Sequence, residues 1–113
     1  MTEQHPAVSL DDTVHQRVRL GILTMLGETL ECAFQTLREE LKLTDGNLNR
    51  HLRVLEDAGL VRVRKGFEGR RPATWLRLTR AGREALRAEI AALEAIVRRM
   101  RAAGDASADH GDR

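Results

Sequence analysis

Between residues 44 and 64 the apolar residues change their period. Leu48, Leu52 and Leu55 stand at i, i+4 and i+7, the spacing of one helical face. After Ala58-Gly59 the run Leu60-Val61-Arg62-Val63-Arg64 alternates apolar with basic, the spacing of a half-buried strand. "FEGRRP" (67–72) then supplies the Gly and Pro of a loop, and "ATWLRLT" (73–79) alternates again. A helix running through one glycine into a two-stranded hairpin is therefore predicted, with Val61, Val63, Trp75 and Leu76 or Leu78 on buried faces.

The rest of the chain must complete a core around this unit. Asp11 and Asp12 suit a helix start by capping and by charge, and Val14, Val18, Ile22, Met25 and Leu26 follow at helical spacing until Gly27 ends the helix. Gly21 inside it costs about 1 kcal/mol relative to Ala, which points to a closely packed neighbour. "LECAF" (30–34) reads as a short extended stretch, and Phe34, Leu37 and Leu41 begin a second helix that a tight turn separates from the third. Thr79 is positioned to cap a last helix, 79–103. Residues 1–10 read as a flexible arm, and 104–113, "GDASADHGDR", as a disordered polar tail. The expected fold is α+β and mainly helical: a winged helix-turn-helix over 11–103, with a three-helix core, a small antiparallel sheet with a hairpin wing, and a long C-terminal helix.

The third helix, 44–58, begins with residues that form helices poorly. Opposite its leucine stripe lie Gly46, Arg50, Arg53 and Asp57, flanked by Asn47 and Asn49. A helix end that must approach bases and phosphates needs small residues and short hydrogen-bonding side chains there. Gly46 removes bulk, the amides of Asn47 and Asn49 both donate and accept as adenine edges require, and Arg50 reaches a guanine edge or a phosphate. Arg53, one turn on, suits backbone contact. Thr44, Asp45 and Gly46 are also what a turn and cap would use, but a cap accounts for neither Asn49 nor Arg50.

Charge supports the same partner. The net charge is only +2, yet residues 60–83 carry Arg62, Arg64, Lys65, Arg70, Arg71, Arg77, Arg80 and Arg83 against Glu68 alone, as a surface for a polyanion would. Lys65, Arg70 and Arg71 fall at or near the hairpin tip, where guanidinium groups can enter a minor groove or bind flanking phosphates. Phe67 is expected to pack on the hairpin stem, the alternative being a wedge against sugar or base. At 113 residues the chain is one domain. It has no long apolar run and no secretion signal at its start, so a cytoplasmic protein without membrane contact is expected. Its single cysteine, Cys32, reads as a small buried hydrophobe, and His51 as a half-buried packing residue; His5, His15 and His110 have no metal-binding spacing. No metal, cofactor or catalytic constellation is expected, and no enzyme activity.

In the last helix Leu86, Ile90, Leu93, Val97 and Met100 are spaced four, three, four, three, the seam of a coiled coil, widened by Ala85, Ala88, Ala92 and Ile96. A helix of about 25 residues spans about 37 Å, longer than a small domain can cover. Pairing with a second chain is the expectation, which places two reading helices about 34 Å apart on a pseudo-palindromic duplex.

Residues 37–86 resemble the winged-helix domain of the MarR/ArsR-like transcriptional regulators, in the small single-domain group. The resemblance rests on "LTDGNLNRHL", "AGLV", the wing "FEGRRP" and "LTRAG"; the first helix, "HQRVRLGILTMLGE", is similar to the family's opening helix. It implies a homodimer that represses or activates promoters, with Asp45, Gly46, Asn47, Asn49 and Arg50 on the reading helix and Arg70 and Arg71 on the wing. The paired cysteines of the metal-sensing members are missing, and no cluster identifies a pocket for the phenolic ligands to which MarR-like relatives answer. A homodimeric, sequence-specific regulator of transcription bound to double-stranded DNA is the expectation; the alternative is a winged-helix module that docks a protein partner.

Overall fold

A computed structural model describes residues 4–109. After a single 3-10 turn, Pro6–Ser9, the elements are α1 (Arg17–Gly27), β1 (Cys32–Ala33), α2 (Phe34–Glu40), α3 (Asp45–Asp57), β2 (Val61–Glu68), β3 (Arg71–Leu78) and α4 (Arg80–Asp109). This is the winged-helix fold, with the antiparallel sheet ordered β1-β3-β2. Leu48 and Leu55 from α3 and Ile22, Leu23 and Leu26 from α1 are fully buried, and Leu37 and Leu76 close the core from α2 and β3. Gly21 of α1 meets the residue that ends α2: a Cβ there would lie 2.9 Å from Leu41 Cδ2.

Both helices of the helix-turn-helix end in the same way. At the end of α3 the Gly59 and Leu60 N–H groups donate to Glu56 O and Leu55 O (2.9 Å each), with Gly59 at φ 77°. At the end of α2 the Lys42 and Leu43 N–H groups donate to Glu39 O (3.2 Å) and Arg38 O (2.9 Å), but the left-handed residue, φ 56°, is Lys42. A side chain in that region costs roughly 1–2 kcal/mol, partly returned because glycine loses more backbone entropy on folding. Lys42→Gly is therefore expected to stabilise the fold by about 0.5–1 kcal/mol, read as a rise of roughly 3–6 °C in thermal midpoint.

The first helix begins later than Asp11-Asp12 predicts. Asp11 instead caps a turn, accepting the Thr13 N–H (2.8 Å), while its carbonyl accepts from Val14 and His15. Gln16 is extended and caps α1 through its side chain, which accepts the Arg19 N–H at 2.9 Å. A tertiary anchor holds the turn out of the helix: Glu89 of α4, 1% exposed, accepts the Asp11 N–H (3.3 Å) and pairs with His15 Nδ1 (2.5 Å). The segment expected as a flexible arm packs its 3-10 turn against α4; residues 1–3 lie outside the described residues.

The hairpin turn is shorter than "FEGRRP" implies. Glu68 pairs with Arg71, so only Gly69 and Arg70 form the turn, and Gly69 at φ 66° supplies the positive dihedral that a two-residue hairpin needs at its first position. Pro72 stands opposite Phe67 in a non-hydrogen-bonded pair, where the missing N–H costs no ladder bond. Val61, Val63, Lys65 and Phe67 share one face of β2. Trp75 lies on the other face of the hairpin, opposite Arg64, and not with the buried Leu76 and Leu78; Phe67 is 70% exposed and does not pack on the stem.

Helix α4 continues past Ala103 to Asp109, so the expected tail is helical through that residue, and 110–113 lie outside the described residues. Its 30 residues span about 45 Å. Ala85, Glu89, Ala92 and Ile96 are buried or half-buried, whereas of the heptad seam only Leu86 is buried and Leu93 half-buried. Leu86 belongs to the monomer core at 8% exposure, its Cδ2 3.0 Å from where a Gly27 Cβ would stand. The expected dimer seam is thus split: Leu86 is internal, Leu93 half-buried, and Ile90, Val97 and Met100 are exposed.

Candidate nucleic-acid interface

Thr44 is the N-cap of α3, accepting the Asn47 N–H through Oγ1 at 3.1 Å. Asp45 follows and is held by Arg38 of α2, whose Nε lies 3.1 Å from Oδ1. Both therefore have work inside the protein: Thr44 satisfies an orphan amide of the first turn, and Asp45 ties the two helices of the helix-turn-helix together. Nothing in the sequence around Arg38 signalled this pairing.

Beyond the cap the outer face of α3 is uncommitted. Asn47, Asn49, Arg50 and Arg53 are exposed, and their side chains make no hydrogen bond or ion pair among the described residues. Gly46 has nothing within 4 Å of the position a Cβ would take, so no internal contact requires glycine there. A groove of about 410 Å³ runs between this helix and the wing, bringing Asn49, Arg53 and Glu56 together with Lys65 and Thr74. Arg70 stands in the turn at the tip, and Arg71 opens β3 on the opposite side, lining a second groove with Gln35, Arg38 and Trp75.

The basic residues of the wing divide into two kinds. Arg64 donates to both carboxylate oxygens of Glu31, Nε to Oε2 at 2.9 Å and Nη2 to Oε1 at 2.8 Å, and its guanidinium stacks 4.1 Å from the Trp75 ring centre. That hydrogen bond holds the Glu31 carboxyl below its usual range against the opposing effect of burial, and raises the Arg64 pKa. The clamp fastens the root of the wing to the segment before β1 and removes Arg64 from the free cations. Lys65, Arg70 and Arg71 have no such partner among the described residues. Sequence reasoning missed Glu31 because the contact joins residues 33 positions apart, and Arg38 because its partner Asp45 lies across the turn between two helices.

His51 lies on the flank of α3 away from the wing, half-buried, with Nδ1 3.2 Å from Arg19 Nη1. Cys32 is half-buried in β1, and burial raises its thiol pKa, aided by the charge of Glu40. Among the described residues no group of three or more His, Cys, Asp or Glu could hold a metal, and no helix is long and apolar enough to cross a membrane.

A family model described as a winged helix DNA-binding domain matches residues 18–97. An uncharacterized protein of Methanocaldococcus jannaschii is 41% identical over 70 residues, covering 62% of this chain and 76% of its own. Among solved structures, a transcriptional regulator homologue from Pyrococcus horikoshii superposes with a TM-score of 0.79 at 30% identity, over 86% of this chain and 98% of that one. HlyU from Vibrio cholerae superposes with a TM-score of 0.57 at 27% identity, over 73% of this chain and 85% of its own.

Proposed function

Because this chain belongs to the winged helix DNA-binding domain family, we propose that it is a homodimeric regulator of transcription that reads a pseudo-palindromic operator sequence-specifically. Asn47, Asn49 and Arg50 meet base edges in the major groove, Arg53 and Lys65 meet phosphates along it, and Arg70 and Arg71 on the wing reach the neighbouring minor groove and backbone. The observation that carries this reading is the free outer face of α3: two amides and two guanidinium groups without hydrogen-bond or ion-pair partners among the described residues, beside a helix position that is glycine with open space around it. Inside the protein that glycine only weakens the helix, so the requirement for it comes from what approaches.

Two chains are joined in this reading through the uncovered half of the α4 seam. Ile90, Val97 and Met100 are 41%, 45% and 66% exposed; Ile90 and Val97 lie with Leu93 on one shallow surface edged by Glu94, Arg98 and Arg101, and Met100 follows Val97 three residues on along the heptad seam. Apolar residues at heptad spacing with charges of both signs beside them fit a second copy of the same helix.

Selection of bound duplexes from a random pool tests the function, and Gly46→Ala sharpens the test. The variant is expected to stabilise the fold by about 0.5–1 kcal/mol while weakening binding to the selected duplex roughly tenfold, the loss of a base contact worth about 1–3 kcal/mol. A pool that yields no enriched sequence would sink the regulator reading and favour a protein-docking module. Unchanged affinity in Gly46→Ala would move the reading surface away from the start of α3.

A further inference from the structure

The flank of α3 turned away from the wing meets the start of α1, and arginines collect there. Arg19 is held in place by three contacts: Nε donates to Thr13 O (2.6 Å), Nη2 to Asp12 O (3.4 Å), and Nη1 lies 3.2 Å from His51 Nδ1. Arg17, the first residue of α1, and Arg50 of α3 are exposed and without hydrogen-bond partners among the described residues. Both are near enough to act on the same imidazole.

We propose that Arg17, Arg19 and His51 form a second phosphate-binding site beside the base-reading Arg50, gripping the DNA backbone on the strand opposite the one met by Arg53 and Lys65. The proposal rests on the DNA-binding reading and extends its footprint to α1, which lies outside both the reading helix and the wing. An α-helix about 10–12 Å across fills a major groove about 12 Å wide, so a phosphate backbone passes along each of its flanks. One flank of α3 carries Arg53 and, across the groove, Lys65. The other carries His51 with the guanidinium groups of α1.

Like charges gathered this way repel one another in the free protein, and an anion between them removes the repulsion. The imidazole reports that repulsion. Burial first, and then the charges of Arg19, Arg50 and Arg17, hold the His51 pKa below its usual value; the charges acting on it are all arginines. Arg19 is fixed by backbone carbonyls before any ligand arrives, so little of its freedom remains to be lost on binding. A phosphate seated there would favour the imidazolium, in which Nδ1 no longer accepts from Arg19 and both groups donate to the anion instead. Binding would then take up a proton, and affinity would strengthen as pH falls through the range between the free and the bound pKa of His51.

The test uses the full chain and a duplex recovered by selection, with affinity measured over a salt series for wild type, Arg17→Gln and Arg70→Ala/Arg71→Ala. Arg17 makes no hydrogen bond or ion pair among the described residues, so its variant is expected to keep the wild-type melting temperature while the slope of log K against log salt shrinks by about 0.9, the release of one phosphate contact. The His51 imidazole, assigned in NMR spectra by its disappearance in His51→Gln, is expected to titrate at higher pH once duplex is added. A wild-type slope in Arg17→Gln, or a His51 titration indifferent to duplex, would overturn this site. If the wing variant loses slope while Arg17→Gln does not, only the second site fails; if wild type itself binds no duplex, the DNA reading fails and takes this site with it.

Discussion

Gly82→Ala is expected to destabilise the fold by about 3 kcal/mol or more, a large part of the roughly 5–15 kcal/mol that holds a domain of this size together. The first turn of α4 is strapped beneath the end of α3. The Thr79 N–H donates to Leu60 O (3.1 Å), its hydroxyl donates to Gly59 O (2.6 Å), and the same oxygen caps α4 by accepting the Gly82 N–H at 3.0 Å. This brings the helix so close that a Cβ on Gly82 would stand 2.0 Å from Leu60 O, 3.0 Å from its carbonyl carbon and 3.1 Å from Leu78 Cδ2. Leu60 O belongs to the backbone at the α3–β2 junction and already accepts from Thr79, so it cannot swing aside as a side-chain tip would. The clash would separate α4 from the wing. Urea unfolding of purified protein measures the loss, and a variant within 1 kcal/mol of wild type would refute the packing described here. Gly46→Ala serves as the counterpart, since it adds the same methyl group where the space is empty.

The second large effect concerns assembly. Val97→Glu combined with Met100→Glu is expected to convert the proposed dimer to a folded monomer and to weaken binding to a two-half-site duplex by about 10²–10⁴-fold, the advantage that linking two reading heads confers. Both side chains are exposed in the single chain, so carboxylates there leave the monomer core intact while burying unpaired charge in any helix pair. Leu86 is unsuitable for this purpose: it packs at Gly27 in the monomer core, and a charge there would unfold the domain rather than separate two of them. Sedimentation and circular dichroism read the two properties apart. A double variant that remains dimeric would place the interface elsewhere.

The elements nearest the proposed reading surface were legible because their signals are local. The i, i+4, i+7 leucines of α3, the glycine that closes it, the alternation of β2 and β3 and the Thr79 cap all depend on residues within a few positions of one another, and periodicity or dihedral preference reports them directly. Gly21 announced a close neighbour, which proved to be Leu41.

Tertiary structure decided which charges are free and which apolar faces are covered. Glu31 engages Arg64 and Arg38 engages Asp45, whereas Lys65, Arg70 and Arg71 remain without partners among the described residues; nothing in the composition of the wing distinguishes these arginines. Glu89 likewise draws Asp11 and His15 toward α4 and delays α1 to Arg17, and it turns the small-residue side of α4 inward so that half of the heptad seam stays open. The period of a side chain's own element is written within one or two turns of chain, but the identity of its partner depends on segments brought together only when the core closes.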